Sequence, residues 1–141
     1  MKIGLIGLGK MGFNLALNMR DNNHTVIAYN RSSAKTKRAE KQGIIGAYSI
    51  QELIKKLNPP RSVWLMISAG PAVDEVIATL SPLLDKGDLI IDGGNSHYRD
   101  TIKRYRKLKE ISLDFCDIGT SGGISGARGG VCMMIGAEPK V

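Results

Sequence analysis

Apolar residues along this chain arrive in short runs, separated by stretches with helical spacing. Residues 2–6 (KIGLI), 25–29 (TVIAY), 62–67 (SVWLMI) and 88–91 (DLII) have the length and near-continuous apolarity of strands buried on both faces. Between them the period changes. Met11, Leu15 and Met19 form one stripe and predict a helix over 10–21, and the Lys-rich segment 33–42 predicts a second, ended by Gly43. Ser49 and Glu52 have the spacing of a capping box and open a short helix to about Leu57, which Pro59-Pro60 closes. Pro71 at a first helical position starts the next helix, with Val73, Val76, Ile77 and Leu80 facing inward until Pro82 ends it. Ser96 is placed to cap a helix reaching about Lys109. The last strand candidates, 113–116 and 131–135, flank a Gly-rich stretch at 119–130. Strand and helix alternate throughout, which predicts an α/β fold: a doubly wound, mostly parallel sheet with helices on both faces.

Composition narrows the class. The 141 residues suffice for one domain, and 43% hydrophobic with 23% charged residues is the balance of a chain that buries a core. No apolar run approaches the roughly 20 residues that span a bilayer, so no membrane partner is expected. Residues 3–8 are too short and too Gly-rich for a secretory signal. Cys116 and Cys132, with no CxxC and no Cys/His cluster, argue against a metal site; buried thiols in a reduced, cytoplasmic protein are expected. The formal charge of +7 is uneven: residues 1–70 hold eleven Lys/Arg against three Asp/Glu, and residues 71–141 nine against ten. A basic first half suits an anionic partner, either nucleic acid or a phosphorylated small molecule. The Lys/Arg run 103–109 lies beside Asp100 and Glu110, which favours a solvated helix face over a nucleic-acid surface.

Seventeen glycines cluster rather than spread. The first cluster, Gly7-Leu8-Gly9-Lys10-Met11-Gly12, lies between the first strand and the first helix. That setting asks for glycine three times: a tight turn at Gly7, close approach of backbone to a pyrophosphate at Gly9, and close helix–strand packing at Gly12. The helix start then offers free N–H groups to phosphate. In this context the six residues point to a Rossmann-type dinucleotide-binding turn, and no GK[ST] follows to make a Walker loop. After the second strand, where a carboxylate would accept the ribose hydroxyls of NAD, stand Asn30, Arg31 and Ser32. Arg31 and Ser32 are suited to the 2′-phosphate of NADP; the plain alternative is a solvated Arg31 opening a basic helix. Asp92-Gly93-Gly94-Asn95-Ser96 and Gly119–Gly126 follow the later strands, where ligands collect at the carboxyl ends of a parallel sheet. There Asn95, Ser121, Gly122 and Gly123 could meet a ligand, or form ordinary turns. His97 opens a helix or touches that ligand.

GLIGLGKMGFNLALNM, YNRS, WLMISAGPAVDEVI, IDGGNSHYRDT and DIGTSGGISGARGG together resemble the β-hydroxyacid dehydrogenase superfamily, and within it most closely the 6-phosphogluconate dehydrogenase family. The resemblance covers essentially the whole chain, and IDGGNS is its most discriminating segment. Ser68 departs from the larger enzymes, which often carry Lys there, and GTSGGISGAR departs from their GVSGGEEGAR. Both departures look like the shorter bacterial type, which leaves NAD open beside NADP. The resemblance implies that 1–141 is a dinucleotide-binding domain whose partner, a C-terminal helical domain, is absent from this chain. It implies cofactor contacts from Gly7 to Gly12, at Asn30, Arg31, Ser32, Ala69 and Asn95, and contacts to 6-phosphogluconate at Asn95, Ser121, Gly122 and Gly123. The implied reaction is oxidative decarboxylation of 6-phosphogluconate to ribulose 5-phosphate, without metal, in a homodimer or higher homo-oligomer. The family's base lysine and acid glutamate would lie past Val141; Lys140 is too early to be that lysine, so no catalytic residue is expected within this chain. Three alternatives stay open: a dehydrogenase of the 3-hydroxyisobutyrate type, a nucleotide-sensing domain without catalysis, and nucleic-acid binding through the basic half.

Overall fold

The computed structural model describes residues 1–139; Lys140 and Val141, with the expectation about Lys140, lie outside the described residues. Strands and α-helices alternate as β1 (Lys2–Ile6), α1 (Lys10–Asp21), β2 (Thr25–Tyr29), α2 (Ser33–Glu40), β3 (Ile45–Ala47), α3 (Ile50–Lys55), β4 (Ser62–Leu65), α4 (Pro71–Leu80), β5 (Leu89–Asp92), α5 (Tyr98–Glu110), β6 (Asp114–Ser121), α6 (Gly123–Gly129) and β7 (Cys132–Gly136), with one 3-10 turn, Ser81–Leu83, following α4. One sheet runs in the order β3-β2-β1-β4-β5-β6-β7. Its first six strands are parallel, and β7 returns antiparallel to β6, pairing 117–121 with 132–136.

Two cores follow from the period-2 alternation of side chains along a strand. Ile6, Ile27, Val63, Leu65, Ile90 and Phe115 face α3, α4 and α5 on one side. Their immediate neighbours Leu5, Val26, Ala28, Trp64, Ile91 and Cys116 face α1 and α2 on the other. A strand sandwiched this way has no polar face, which is why these segments read as unbroken apolar runs. Leu5, Ile27, Leu65 and Ile90 are fully buried, each contributing about 1.5–3 kcal/mol relative to exposure.

Several local expectations change. β3 is only Ile-Gly-Ala at the sheet edge, with Ile45 exposed, so it has no apolar run to betray it. α6 forms inside the Gly-rich stretch despite the low helix propensity of glycine. Tertiary packing holds it: Ala127 is fully buried, and Arg128 pairs with Asp21 of α1 at 2.6 Å. β6 runs on past Cys116 to Ser121 because β7 supplies a second ladder. The cap of α5 is His97, whose Nδ1 accepts the Arg99 N–H at 3.3 Å, because the Ser96 hydroxyl is already donated to Asp92. Arg104 is not part of a solvated face; it is 3% exposed. Ser49 does cap α3, but the Glu52 carboxylate reaches back to the Tyr48 N–H rather than to Ser49. Of the two free thiols, Cys116 is buried and Cys132 exposed, since Cys132 begins the edge strand.

Asp117, halfway along β6, faces Asp92 across the ladder. Burial, and then the Asp92 charge, push its carboxyl above the usual range. A carboxyl whose pKa rises on folding opposes the fold once ionised, and that penalty disappears as pH falls through its folded pKa. Asp117→Asn is therefore expected to raise the melting temperature at pH 7. The advantage over wild type should shrink as pH is lowered through the carboxyl's titration, read by thermal melts across a pH series.

Candidate functional site

From β1 the chain works outward through β2 to the edge at β3, then returns to lay β4 on the other side of β1. Connections leave in opposite directions at the carboxyl ends of β1 and β4, and a crevice opens between them. The glycine turn sits at its floor. Gly7 has φ 106 and its amide donates to the Tyr29 carbonyl at 2.9 Å; a Cβ there would run into the Met66 carbonyl. Gly12 lies so close to the Gly7 carbonyl and to Met66 that a Cβ would overlap both. Gly9 differs from both: a Cβ on it would meet nothing within 4 Å. Two of the three glycines are therefore demanded by the protein's own packing. The third leaves open space at the start of α1, where no side chain caps the helix and no acid sits in the first turn. Lone N–H groups and the positive end of the helix dipole face that space, which is the chemistry of an anion site.

The crevice has two halves that share Gly9, Met66, Ile67 and Ser68. One, about 470 Å³, is walled by Gly7, Asn30, Arg31, Ser32 and Lys35, with Ala72, Glu75 and Val76 from α4 opposite. Ser32 is the N-cap position of α2, yet its hydroxyl does not cap the helix, and no acid follows in the first turn. The other half, about 360 Å³, is walled by Lys10, Met11, Gly12, Gly93, Gly94, Asn95 and Thr120. A groove of about 570 Å³ beside Met1, Asn22 and His24 is more voluminous. It lies at the amino ends of β1 and β2, against the C-terminal ends of α1 and α6, where helices present carbonyl groups rather than free N–H groups.

Other expected residues are used differently from their anticipated roles. Asn30 borders the crevice, but its Oδ1 accepts the Leu8 N–H at 2.9 Å, and its Nδ2 donates to the Ser32 carbonyl at 3.3 Å. Leu8 has a buried side chain and a spent amide, so it offers a ligand neither. Gly93 and Gly94 admit the protein's own backbone and side chains: a Cβ on Gly93 would strike Trp64 and Met66, and one on Gly94 would lie 2.5 Å from the Ile67 carbonyl. Asn95 is exposed at φ 61. Ala69, exposed in the loop before α4, borders neither half. Ser121, Gly122 and Gly123 are exposed just beyond Thr120 and also border neither. Among crevice residues not singled out from sequence, Lys35 stands one turn past Arg31, which its i+4 spacing could have revealed. Thr120 and Glu75 carried no signal.

Behind the second half lies an ion-pair network. Asp92, fully buried at the end of β5, accepts from the Gly94 amide at 3.0 Å, the Ser96 hydroxyl at 2.7 Å and Arg104 at 3.2 Å. Arg104 also grips Asp74 of α4 through both carboxylate oxygens. Its guanidinium holds the Asp74 carboxyl below the usual range. Among the described residues no group of three or more His, Cys, Asp or Glu side chains is arranged to hold a metal ion, and no helix is long and apolar enough to cross a membrane.

Comparison with known proteins bears on this geometry. A family model described as the NAD binding domain of 6-phosphogluconate dehydrogenase matches residues 2–141. A Candida albicans protein named 6-phosphogluconate dehydrogenase, decarboxylating, is 49% identical over 98% of this chain and 28% of its own length. The Haemophilus influenzae protein of the same name is 49% identical over 98% and 30%. Plasmodium falciparum 6-phosphogluconate dehydrogenase, described as apo, with NADP+ and with 6-phosphogluconate, superposes with a TM-score of 0.91 at 41% identity, covering 99% of this chain and 31% of that one. Mycobacterium tuberculosis 3-hydroxyisobutyrate dehydrogenase shares the fold, with a TM-score of 0.90 at 21% identity over 99% of this chain and 47% of that one. The chain spans less than half the length of the curated relatives it matches. Matched along nearly its full length, the chain belongs to the family of NAD-binding domains of 6-phosphogluconate dehydrogenase.

Proposed function

We propose that this chain binds NADP across the crevice and, in a complete enzyme, presents its nicotinamide to 6-phosphogluconate for oxidative decarboxylation. The observation that carries this reading is the open space over Gly9, flanked by two glycines that the protein itself closes. A pyrophosphate there would meet the uncapped start of α1. Arg31, Ser32 and Lys35 would hold the 2′-phosphate, with the uncapped N-terminus of α2 adding to them. The other half would take the nicotinamide between Met11, Ser68 and Asn95. Once bound, the cofactor supplies a hydride acceptor. This chain's own residues hold and orient it. Asn95, Ser121, Gly122 and Gly123 would form the substrate wall, completed by a helical domain carrying the proton-transfer groups in a homodimer or higher homo-oligomer. Two free cysteines support a reducing, cytoplasmic setting.

The glycines give the sharpest test. Gly9→Val should abolish NADP binding by titration calorimetry while leaving the melting temperature nearly unchanged, because its side chain enters only the open space. Gly12→Ala should do the reverse in the first instance, destabilising the fold by about 1–3 kcal/mol through overpacking against Gly7 and Met66.

Cofactor choice rests on Arg31. A hydrogen bond to a charged group contributes roughly 1.5–3 kcal/mol, about one to two decades of affinity. Arg31→Ala should weaken NADP by that factor and leave NAD almost untouched, measured side by side.

Asn95 calls for a substitution that separates its amide from its turn. At φ 61 a side chain is strained and glycine is not. Asn95→Gly should therefore keep or slightly raise the melting temperature while weakening NADP binding. If Asn95 only shaped the turn, glycine would serve equally well and the affinity would not move.

A further inference from the structure

Arg104 is the one buried cation among the described residues, and all five of its N–H donors are spent. Nε and Nη2 reach the two oxygens of Asp74 at 2.9 and 3.1 Å, and Nη2 also reaches the Gly70 carbonyl at 3.1 Å. Nη1 reaches the Ser96 hydroxyl at 2.8 Å and Asp92 at 3.2 Å. A single side chain on α5 thereby ties the entrance of α4 to the exit of β5. Those two segments carry the loops on either side of the 360 Å³ half of the crevice, which contributes Ile67 and Ser68 from one and Gly93, Gly94 and Asn95 from the other. The last backbone rung between them is Gly93 N–H to the Leu65 carbonyl at 2.9 Å. Past that rung the two loops still touch where Gly94 lies against the Ile67 carbonyl, and the side-chain bridge lies beyond that contact.

Asn95 makes the dependence acute. It stands in the left-handed region between two residues that are both pinned to Asp92, Gly94 through its amide and Ser96 through its hydroxyl. A non-glycine residue in that region persists where its surroundings over-determine it. Asp92 and Arg104 are those surroundings.

We propose that Arg104 is a positioning residue for the nicotinamide end of the cofactor. By bridging Gly70 and Asp74 to Asp92 and Ser96 it fixes the spacing of the two loops and the pose of Asn95, and it touches no ligand itself. The proposal rests on the dinucleotide reading above and concerns one half of that site. The groups that would hold phosphate in the adenosine half, the start of α1 with Arg31, Ser32 and Lys35, are not among the hydrogen-bond partners of Arg104; that half meets the network only through the outer wall of α4, at Ala72, Glu75 and Val76.

The test uses two ligands on this chain: NADPH, and 2′-phospho-ADP-ribose, which keeps the pyrophosphate and the 2′-phosphate and lacks the nicotinamide. Arg104→Lys keeps the charge but cannot reproduce the fork, and Ser96→Ala removes one bridge at a partly exposed position where the fold should survive. Each variant is expected to weaken NADPH by about fivefold or more, as a loss of one to two bonds would, while 2′-phospho-ADP-ribose binds as it does to wild type. Equal losses for both ligands would show a merely structural role and overturn the proposal, as would no loss for either. Should Arg104→Lys fail to fold, the Ser96→Ala comparison decides alone. If wild type binds NADPH no tighter than 2′-phospho-ADP-ribose, the loops hold no ring and the proposal falls while the adenosine half of the functional reading stands. If wild type binds neither ligand, the functional reading itself falls.

Discussion

How closely α1 can approach the ends of β1 and β4 governs this molecule. The contact is backbone against backbone: Gly12 rests on the Gly7 carbonyl, and Gly7 on the Met66 carbonyl. No side chain on either glycine would allow it. Because the approach is so close, only three residues separate β1 from α1, and the free N–H groups of α1 stand at the mouth of the sheet rather than out in solvent. The Asn30 side chain then fixes the turn from β2 by accepting the Leu8 amide. Turn, helix start and neighbouring strand form one rigid corner. The crevice is the space this corner leaves, and its position is set before any side chain in it is chosen.

The opposite wall is held by different physics. Loops 66–70 and 93–97 leave β4 and β5 without a ladder between them, so electrostatics takes over where hydrogen-bonded sheet ends. Burying a guanidinium against the buried Asp92 and the exposed Asp74 gives little net stability, since desolvation offsets most of the attraction; removing Asp92 or Arg104 is costly because it strands the other. A network of this kind therefore acts less as a source of stability than as a constraint on geometry. All five donors of Arg104 are matched, so moving either loop alone would break bonds on one side of it. The site thus pairs a corner fixed by steric closeness with a wall fixed by charge.

These two kinds of constraint differ in how plainly they appear in sequence. The glycine turn is legible because close backbone contact demands particular residues at fixed spacing, and Gly7, Gly9 and Gly12 supply them. Strands β1, β2, β4 and β5 are legible because burial on both faces erases polar residues. Arg104 is not, because a cation among Lys103, Arg106 and Lys107 has the same composition whether buried or solvated; only the long-range partner Asp74 distinguishes it. Ser96 misleads for a related reason. A hydroxyl before a helix is usually a cap, but here Asp92 lies four residues upstream and claims it. α6 escaped notice because its stability comes from Ala127 packing and the Arg128–Asp21 pair rather than from propensity. β3 escaped because three residues at an edge carry no period. Where a residue's job depends on a neighbour thirty positions away, local pattern cannot state it.

Asn30 shows how the corner and the charge balance meet in one residue. The position after β2 is where a carboxylate would accept ribose hydroxyls in an NAD-binding turn. Here an amide occupies it, and the amide spends its oxygen inward, on the Leu8 N–H. A carboxylate could accept that bond equally well, so the need to hold the turn does not by itself favour Asn over Asp. What separates them is charge. At a distance of about 5 Å and an effective dielectric of about 20, a carboxylate and a single phosphate charge repel by about 3 kcal/mol. That is as large as the whole contribution expected from one charged hydrogen bond to that phosphate. An Asp here would therefore cancel what Arg31 would offer a bound phosphate, whereas Asn leaves Arg31 and Lys35 facing Glu75 across this half of the crevice. The neutral side chain performs the structural task and leaves the basic face of the first half of the chain uncompensated.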